Sequence, residues 1–176
     1  MRRSSNQYIG RFAPSPSGDL HFGSLVSAVA SYADARQHSG QWILRIDDVD
    51  QPRTKAGAAE SIIHTLSAFG FKWNNPIKWQ SERISQYEQV IQELKDRNAV
   101  YFCACSRREI TKVAAAGADG MIYPGTCRDQ RHRENARHAI RIRTNSEKIY
   151  FSDRVFGHFE QNLETLSGDF IIRRAD

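Results

Sequence analysis

The feature that most constrains this chain is a proline-rich turn between an apolar strand and an apolar helix. Residues 11–24 read Arg-Phe-Ala-Pro-Ser-Pro-Ser-Gly-Asp-Leu-His-Phe-Gly-Ser. Residues 8–12 predict a short strand, and the apolar run 25–33 predicts a helix that is buried on most of its sides. The two prolines and the first glycine stop either element from running through. The sequence therefore predicts a strand, a rigid turn and a helix that begins around Gly23.

The start of such a helix is a favourable place for a phosphate group. Amides there have no partner within the helix and carry partial positive charge, and Gly23 has no side chain to block a close approach. We therefore predict a nucleotide site with His21, Gly23 and Ser24 as its catalytic residues. The spacing alone is equally compatible with an ordinary strand-to-helix turn in which His21 is a loop histidine.

Residues 11–24 closely resemble the first signature of the glutamyl-tRNA synthetases, whose His-x-Gly belongs to the ATP motif of class I synthetases. Ser17 and the run Phe22-Gly-Ser bring the stretch closer still to a family of short paralogues, the glutamyl-queuosine tRNA(Asp) synthetases. The resemblance implies that the residues just before the helix hold glutamate. The residues it implies are Arg11, Phe12, Ala13, Pro14 and Ser15.

Arg11 suits the side-chain end of that amino acid. A guanidinium group binds a carboxylate through two parallel hydrogen bonds, which fits the side chain of glutamate. Without the resemblance, Arg11 is equally a strand arginine that lies along the sheet.

An acidic loop follows a second predicted strand, residues 41–46. Residues 45–50 read Arg-Ile-Asp-Asp-Val-Asp, and their carboxylates suit an ammonium group or a ribose hydroxyl if the two strands are neighbours. The alternative is a solvated acidic loop that caps the next helix. The segment resembles the Arg-Ile-Glu-Asp-Thr-Asp of the synthetases, whose glutamate contacts the α-amino group of the substrate. We therefore expect Asp47 to bind that group, with a side chain one methylene shorter.

The first hundred residues alternate strands and helices. Residues 56–69 predict a helix that Gly70 ends, and Ser85 with Glu88 predicts a capping box at the start of the next helix. This alternation favours an α/β fold with a parallel sheet wrapped by helices and a ligand at the carboxyl ends of the strands. The resemblance implies a Rossmann-type class I synthetase domain, and we expect residues 1–100 to be its N-terminal part.

The pattern changes near Asn98. The sequence predicts a short helix capped by Ser106 and Glu109, and a loop of small residues over 114–120. It also predicts strands over 99–102, 139–143, 149–151 and 169–172. We expect residues 101–176 to form an inserted zinc-bearing α+β module, followed by the start of a return to the catalytic sheet.

Three cysteines, Cys103, Cys105 and Cys127, lie in this second region. They are too few for a disulfide framework, and thiolates at a four-coordinate site favour zinc. The alternative is three reduced, partly buried cysteines.

The fourth ligand is not evident from the spacing, and His132 and His138 are the usual residue type. The resemblance implies Tyr123, whose phenolate a bound cation would favour. Such a zinc ion would be structural, with no open position for water. Its excess negative charge could be offset by the arginines next to the cysteines in sequence, which are Arg107, Arg108 and Arg128.

The net charge of +5 and the sequence pI near 9.3 permit an anionic partner without identifying one. Residues 128–143 contain six arginines and two histidines, which suit an RNA backbone or, equally, a solvated face that also balances the zinc site. No apolar run approaches the ~20 residues of a membrane span, and the basic start lacks an apolar stretch. We therefore expect a cytoplasmic monomer without a membrane partner.

The resemblance implies ATP with magnesium, L-glutamate and a queuosine-bearing tRNA(Asp) as substrates. It extends to residues 168–176, yet the chain contains no Lys-x-Ser-Lys motif, which class I synthetases place on the ATP phosphates. We therefore expect the 176-residue chain alone to activate glutamate weakly or not at all. Two alternatives remain open: part of a conventional glutamyl-tRNA synthetase, and a non-catalytic zinc-bearing RNA-binding module.

Overall fold

The computed structural model describes residues 7–117, 120–130, 132 and 137–175. It divides the chain into two compact units, Met1–Tyr87 and Glu88–Asp176. Three predicted segments lie partly outside the described residues: the basic start, the loop of small residues and the arginine-rich run.

The first unit alternates strands and helices as predicted. Its elements are β1 (Ile9–Phe12), α1 (Phe22–Gln37), β2 (Gln41–Ile46), α2 (Ala58–Ala68), β3 (Lys78–Trp79) and α3 (Ile84–Asp96), which crosses into the second unit. The described strands form a parallel sheet in the order β1-β2-β3. The predicted α/β fold with a parallel sheet is therefore confirmed for this unit.

The core of the first unit is built on β2, whose residues alternate between buried and half-buried. Trp42, Leu44 and Ile46 are almost fully buried, as period-two alternation requires of a strand with one face in the core. The indole Nε1 of Trp42 donates to Ser31 Oγ on α1 at 3.0 Å, so its one polar group is satisfied.

Helix α1 packs closely on β1 because small residues meet at the contact. A Cβ added to Gly10 would lie 3.0 Å from both Ala35 Cβ and the Ser31 carbonyl oxygen. The prediction that α1 is buried on most sides is wrong in the described structure, since only Ala28 and Ala35 are buried, whereas Val29 is 54% exposed. The sheet covers one face of the helix, and the apolar side chains that extend the run lie on the other face.

The predicted capping box at Ser85 and Glu88 is also wrong. A 3₁₀ turn at Ser81–Arg83 leads directly into α3, and Ile84 already has right-handed helical dihedral angles. Ser85 is therefore inside the helix, where it cannot take the extended conformation of a capping residue. The helix predicted over 56–69 corresponds to α2, with Gly70 just beyond its end at φ +81°.

The second unit is built from short strands and two brief helices. Its further elements are β4 (Val100–Cys103), α4 (Arg107–Val113), β5 (Ala115–Gly117), β6 (Gly120–Ile122), β7 (Ala139–Ile142), β8 (Lys148–Asp153), β9 (Gly157–Asn162), α5 (Leu163–Leu166) and β10 (Ile171–Arg173). An antiparallel sheet has the order β10-β7-β4, and β5-β6 and β8-β9 are hairpins.

Most predicted elements of this unit are present within two residues, including the capping box formed by Ser106 and Glu109 on α4. The loop predicted over 114–120 is wrong in its described part, where β5 and β6 pair as a hairpin. Backbone pairing determines the structure there, because alanine and glycine contribute little strand propensity of their own. Strand β9 and helix α5 were not predicted.

No described helix has both the length and the apolar character that a bilayer crossing requires.

Candidate functional site

The proline-rich turn and the acidic loop meet in the first unit. Because β1 and β2 are parallel neighbours, their carboxyl ends lie at the same edge of the sheet. The amide of Asp47 donates to the Pro14 carbonyl at 3.0 Å, and the amide of Lys55 donates to the Pro16 carbonyl at 2.9 Å. The two predicted substrate-binding segments are therefore held together by main-chain hydrogen bonds.

His21 caps helix α1 and is fixed there by Ser24. Its backbone is extended, and its Nδ1 accepts a hydrogen bond from the Ser24 amide at 3.3 Å. Its Nε2 lies 3.1 Å from Ser24 Oγ. Both ring nitrogens thus face Ser24, which places the exposed imidazole over the first turn of the helix.

Gly23 makes room for that imidazole. A Cβ at this position would lie 3.2 Å from Cε1 and 3.3 Å from Nδ1 of His21, closer than a relaxed contact. Among the described residues, the amides of Phe22 and Gly23 have no protein acceptor. These amides and the His21 ring are therefore arranged at one helix end, as an anion site requires.

The residues of the predicted glutamate-binding stretch differ in solvent exposure. Arg11 is exposed and forms no ion pair with a described residue. Phe12 is 8% exposed and packs against Trp42 in the core, so only its backbone can face a ligand. Ala13 and Pro14 are half-buried, and Ser15 is exposed.

Arg45 binds the carboxylate of Asp47 through two hydrogen bonds. Its Nε lies 2.5 Å from Oδ1 and its Nη2 lies 2.9 Å from Oδ2. The bond to Asp47 raises the pKa of Arg45 above its ordinary value, against the effect of partial burial. The sequence argument missed this pair, although the two residues are only two positions apart at the end of β2.

The other two carboxylates of the acidic loop stabilise local structure. Asp48 accepts hydrogen bonds from Ser81, from the amide at 2.9 Å and from Oγ at 2.6 Å. Partial burial works to raise the pKa of Asp48, but these hydrogen bonds outweigh it and the pKa is lowered. Asp50 pairs with Arg53 at 2.7 Å. Of the three carboxylates, Asp47 is the one that lies next to the proline-rich turn.

The three cysteines converge in the second unit. The sulfur atoms of Cys103, Cys105 and Cys127 all lie within 4.8 Å of one another, and those of Cys105 and Cys127 are 3.4 Å apart. Tetrahedral zinc with bonds of ~2.3 Å places sulfurs about 3.8 Å apart, so the donor set fits this ion. Burial raises the pKa of Cys105 to about 11, and the proximity of Cys127 and Cys103 adds to this. The three sulfur atoms are close enough to bind one metal ion.

Tyr123 lies within the same cluster. Its hydroxyl is 3.3 Å from Cys103 Sγ and 3.5 Å from Cys105 Sγ, and it accepts from the Cys127 amide at 3.0 Å. Burial and the two neighbouring thiols raise the pKa of Tyr123. The phenol oxygen therefore lies beside two of the three sulfur atoms.

The two histidines considered as fourth ligands pair with each other instead. The rings of His132 and His138 are 5.4 Å apart in an edge-to-face arrangement. In the part of the chain that the structure describes, the metal-capable group at the cluster contains the cysteines and neither histidine.

The segment before β10 is fixed to the Tyr123 loop. The Tyr123 amide donates to the Ser167 carbonyl at 3.2 Å. Gly168 has φ +63°, and a Cβ there would lie 2.5 Å from the Tyr123 carbonyl oxygen. Only glycine fits this backbone conformation at this distance without strain.

Three arginines of the basic run turn inward. Arg128 Nη1 donates to Asp169 Oδ1 at 2.9 Å, and this carboxylate is almost fully buried. The guanidinium carbon of Arg141 lies 3.7 Å from the Tyr123 ring centroid, and that of Arg143 lies 5.0 Å from the Tyr101 ring centroid. These three arginines therefore stabilise the module, and they do not form the solvated face that the sequence also suggested.

The buried carboxylate of Asp169 is the centre of this network. Its Oδ1 also accepts from the Thr144 amide at 2.7 Å and from Thr144 Oγ1 at 2.9 Å, and its Oδ2 accepts from Tyr101 at 2.8 Å. Burial and this bond to Asp169 raise the pKa of Tyr101. Sequence reasoning missed Asp169 and Arg141 as functional candidates, because no local signal links them to the cysteines.

A cavity of about 460 Å³ lies beside the cluster, and Cys105, Arg107 and Arg141 are part of its wall. Arg107 therefore lines the same cavity as Cys105, whereas Arg128 is paired with Asp169.

Residues 9–176 match the family described as tRNA synthetases class I (E and Q), catalytic domain. A Glutamyl-Q tRNA(Asp) synthetase from Dechloromonas aromatica is 48% identical over 174 residues, which are 98% of this chain and 58% of that protein. One from Aromatoleum aromaticum is 49% identical over 96% of this chain and 53% of that protein. The chain thus spans little more than half the length of these relatives, and the predicted resemblance is confirmed.

Solved structures show the same fold. A glutamate-tRNA synthetase from Elizabethkingia anophelis superposes with a TM-score of 0.79 at 24% identity, over 97% of this chain and 40% of that chain. A glutamate tRNA ligase from Elizabethkingia meningosepticum gives a TM-score of 0.75 at 24% identity, over 97% and 39%. The match over residues 9–176 agrees with the parallel sheet and with the hydrogen bonds between the proline-rich turn and the acidic loop. The chain therefore belongs to the class I tRNA synthetases (E and Q) and lies within their catalytic domain.

Proposed function

We propose that this chain forms the ATP- and glutamate-binding part of a glutamyl-queuosine tRNA(Asp) synthetase. The observation that carries the proposal is the junction of the His21 turn with the Asp47 loop, in a chain 48% identical to a relative of that name. The names of the relatives favour this function over a conventional glutamyl-tRNA synthetase. No contact of the described residues favours a non-catalytic RNA-binding module.

ATP would bind at the start of α1. The His21 ring, the amides of Phe22 and Gly23 and the Ser24 hydroxyl would stabilise its phosphates, with magnesium accompanying the nucleotide. Fixed donors aimed at developing negative charge are the main source of rate enhancement in such reactions.

Glutamate would lie between the two loops. Arg11 is exposed and unpaired among the described residues, so its planar guanidinium can bind the side-chain carboxylate. The Asp47 carboxylate would accept from the ammonium group. The main chain from Ala13 to Ser15, held by the Pro14–Asp47 hydrogen bond, would form the wall of the pocket.

The reaction that this arrangement suits has two steps. An oxygen of the glutamate α-carboxylate attacks the α-phosphate of ATP, and pyrophosphate leaves to give glutamyl-adenylate. A hydroxyl of the queuosine cyclopentene ring then attacks the activated carbonyl, and AMP leaves. His21 and the helix start would stabilise the charge on the phosphates in the first step.

The cysteine cluster would hold structural zinc through Cys103, Cys105, Cys127 and Tyr123. When bound, the ion would cross-link the end of β4 to the loop that carries Tyr123 and Cys127, with no open position for a substrate. Residues 1–100 would then form the N-terminal part of the catalytic domain, and residues 101–176 would form the metal-bearing module and the start of the return to the catalytic sheet.

The test of the substrate site is binding to the 176-residue chain. We expect glutamate to bind in the presence of a non-hydrolysable ATP analogue, and the Arg11→Met variant to lose this binding by calorimetry. A matched control is Arg53→Met, in the same unit but paired with Asp50. Equal glutamate affinity of Arg11→Met and the unmodified chain would contradict the assignment.

The test of the whole reaction uses the product of the complete reading frame with labelled glutamate and ATP. Label on queuosine-containing tRNA(Asp), and none on the same tRNA lacking queuosine, is the expected result. Label on both tRNAs would select the conventional synthetase. For the 176-residue chain alone we expect glutamate-dependent pyrophosphate exchange to be absent or very weak, because it lacks the Lys-x-Ser-Lys motif.

A further inference from the structure

Arg141 contacts one of the four proposed zinc ligands, Tyr123, and acts electrostatically on another, Cys103. It lies on β7, opposite Tyr101 on β4, and is only 5% exposed. Its guanidinium carbon lies 3.7 Å from the centroid of the Tyr123 ring. Burial works to raise the pKa of the Cys103 thiol, but the Tyr123 hydroxyl and, after it, the nearby Arg141 guanidinium outweigh this and the pKa is lowered.

Within the described ranges, no ion pair of Arg141 with a carboxylate is found. An arginine stays protonated in proteins, and a buried charge is costly unless it is paired. Arg141 Nη1 donates to the backbone carbonyl of Asp169 at 2.6 Å, whereas the Asp169 carboxylate is used by Arg128. The negative charge that would face it is that of the cysteine cluster when its ligands are deprotonated around a metal ion.

The cluster needs such a charge. A divalent ion with three thiolates and one phenolate carries a net charge of −2, in a place where Cys103 and Tyr123 are buried. Outer groups that touch metal ligands orient them and tune the site. A guanidinium that lies over the ring of one ligand holds that ring, and its charge acts on the neighbouring thiolates.

We infer that Arg141 is a positioning residue of the metal centre, which holds the Tyr123 ring and offsets the negative charge so that Tyr123 can serve as the oxygen ligand. This inference rests on the proposed zinc site. It assigns to Arg141 the role that the sequence gave to arginines adjacent to the cysteines.

The experiment measures zinc affinity by competition with a chromophoric chelator. We expect Arg141→Met to lower the affinity roughly 10- to 100-fold, the usual effect of losing an outer-shell partner. Arg141→Met also loses the bond to Asp169, so Arg141→Lys is a milder companion that keeps the charge. We expect a smaller loss for it, because an ammonium lacks the planar fork.

Arg143→Met is the matched control. Arg143 lies on the same stretch of chain, stacks over a tyrosine and is partly buried, but its ring partner is Tyr101, which is outside the cluster. We expect its zinc affinity to stay within about threefold of that of the unmodified chain, since no proposed ligand is touched.

A double-mutant cycle with Tyr123→Phe separates positioning from folding. If Arg141 acts through the phenol oxygen, Arg141→Met should cost much less in the Tyr123→Phe background. An equal loss in both backgrounds, or no loss in either, would overturn the inference while the zinc site stands. An unmodified chain that takes up no zinc would overturn the metal site itself, and the inference with it.

Discussion

The Arg45 guanidinium donates to both oxygens of the Asp47 carboxylate, from Nε to Oδ1 at 2.5 Å and from Nη2 to Oδ2 at 2.9 Å. Asp47 is thereby fixed next to the turn that follows β1, where its amide donates to the Pro14 carbonyl. Each oxygen has two lone pairs, so one on each oxygen remains available for an ammonium group. An aspartate held in this way can compensate in rigidity for the methylene that it lacks.

Asp47→Ala should weaken glutamate binding by roughly 10-fold or more, because a hydrogen bond to a charged group contributes about 1.5–3 kcal/mol. Asp47→Glu keeps the charge and should lose less. Calorimetric titration of glutamate with a bound ATP analogue measures both. Asp48→Asn is the neighbouring control, since Asp48 is bound to Ser81. If neither Asp47 variant changes the affinity, Asp47 is not the ammonium ligand.

The Asp48–Ser81 contact should make stability depend on pH. Because the folded pKa of Asp48 lies below its ordinary value of 3.8, its contribution is complete above that value and is lost as pH falls through the folded pKa. Asp48→Asn should therefore melt below the unmodified chain at pH 7, with the gap closing in strong acid. A gap that is constant from pH 7 to pH 2 would show that the charge contributes nothing.

Removing zinc should lower the melting temperature of the chain. A ligand present at a hundred times its dissociation constant contributes about 2.7 kcal/mol, which corresponds to a shift of roughly 5–10 °C at this chain length. Cys127→Ser should melt at the lower temperature, with or without chelator. Thr126→Ser, at the adjacent position, should keep the full response. A chelator-independent melting curve of the unmodified chain would contradict the structural role.

Asp169→Asn should be strongly destabilising. The buried Asp169 carboxylate accepts from Arg128, Thr144 and Tyr101, and leaving a buried polar group without its partner costs about 1–3 kcal/mol. Chemical denaturation followed by circular dichroism measures the loss. Asp129→Asn is the control, because Asp129 also faces an arginine, Arg143 at 3.7 Å, but is exposed. Similar midpoints for the two variants would refute a central role of Asp169.

Residues that start or end helices and strands made the first unit predictable. The prolines and glycine of the turn, the apolar run after it and the strand predicted over residues 41–46 each indicate an element, and the structure contains β1, α1 and β2 there. Ser85 misled the prediction because a 3₁₀ turn can precede a helix without a separate capping residue. The cysteines were identifiable because they are chemically distinctive and close in sequence.

Contacts between distant residues could not be predicted. Asp169 meets Tyr101 across 68 positions and Arg128 across 41, and nothing in the local sequence indicates either pair. The role of Arg141 depends in the same way on the pairing of β7 with β4. The run of arginines indicated positive charge but not which way each side chain points. Three of these side chains point into the module.

The close approach of Gly168 to the Tyr123 carbonyl limits how this module can vary among related proteins. The backbone of this link is in close contact with the Tyr123 backbone. An added residue or a bulkier one between α5 and β10 would therefore displace the loop that carries Tyr123 and Cys127. The β8–β9 hairpin, whose residues are mostly exposed, imposes no such limit. Differences in length should therefore accumulate in that hairpin, while the short link after α5 keeps its length and its glycine.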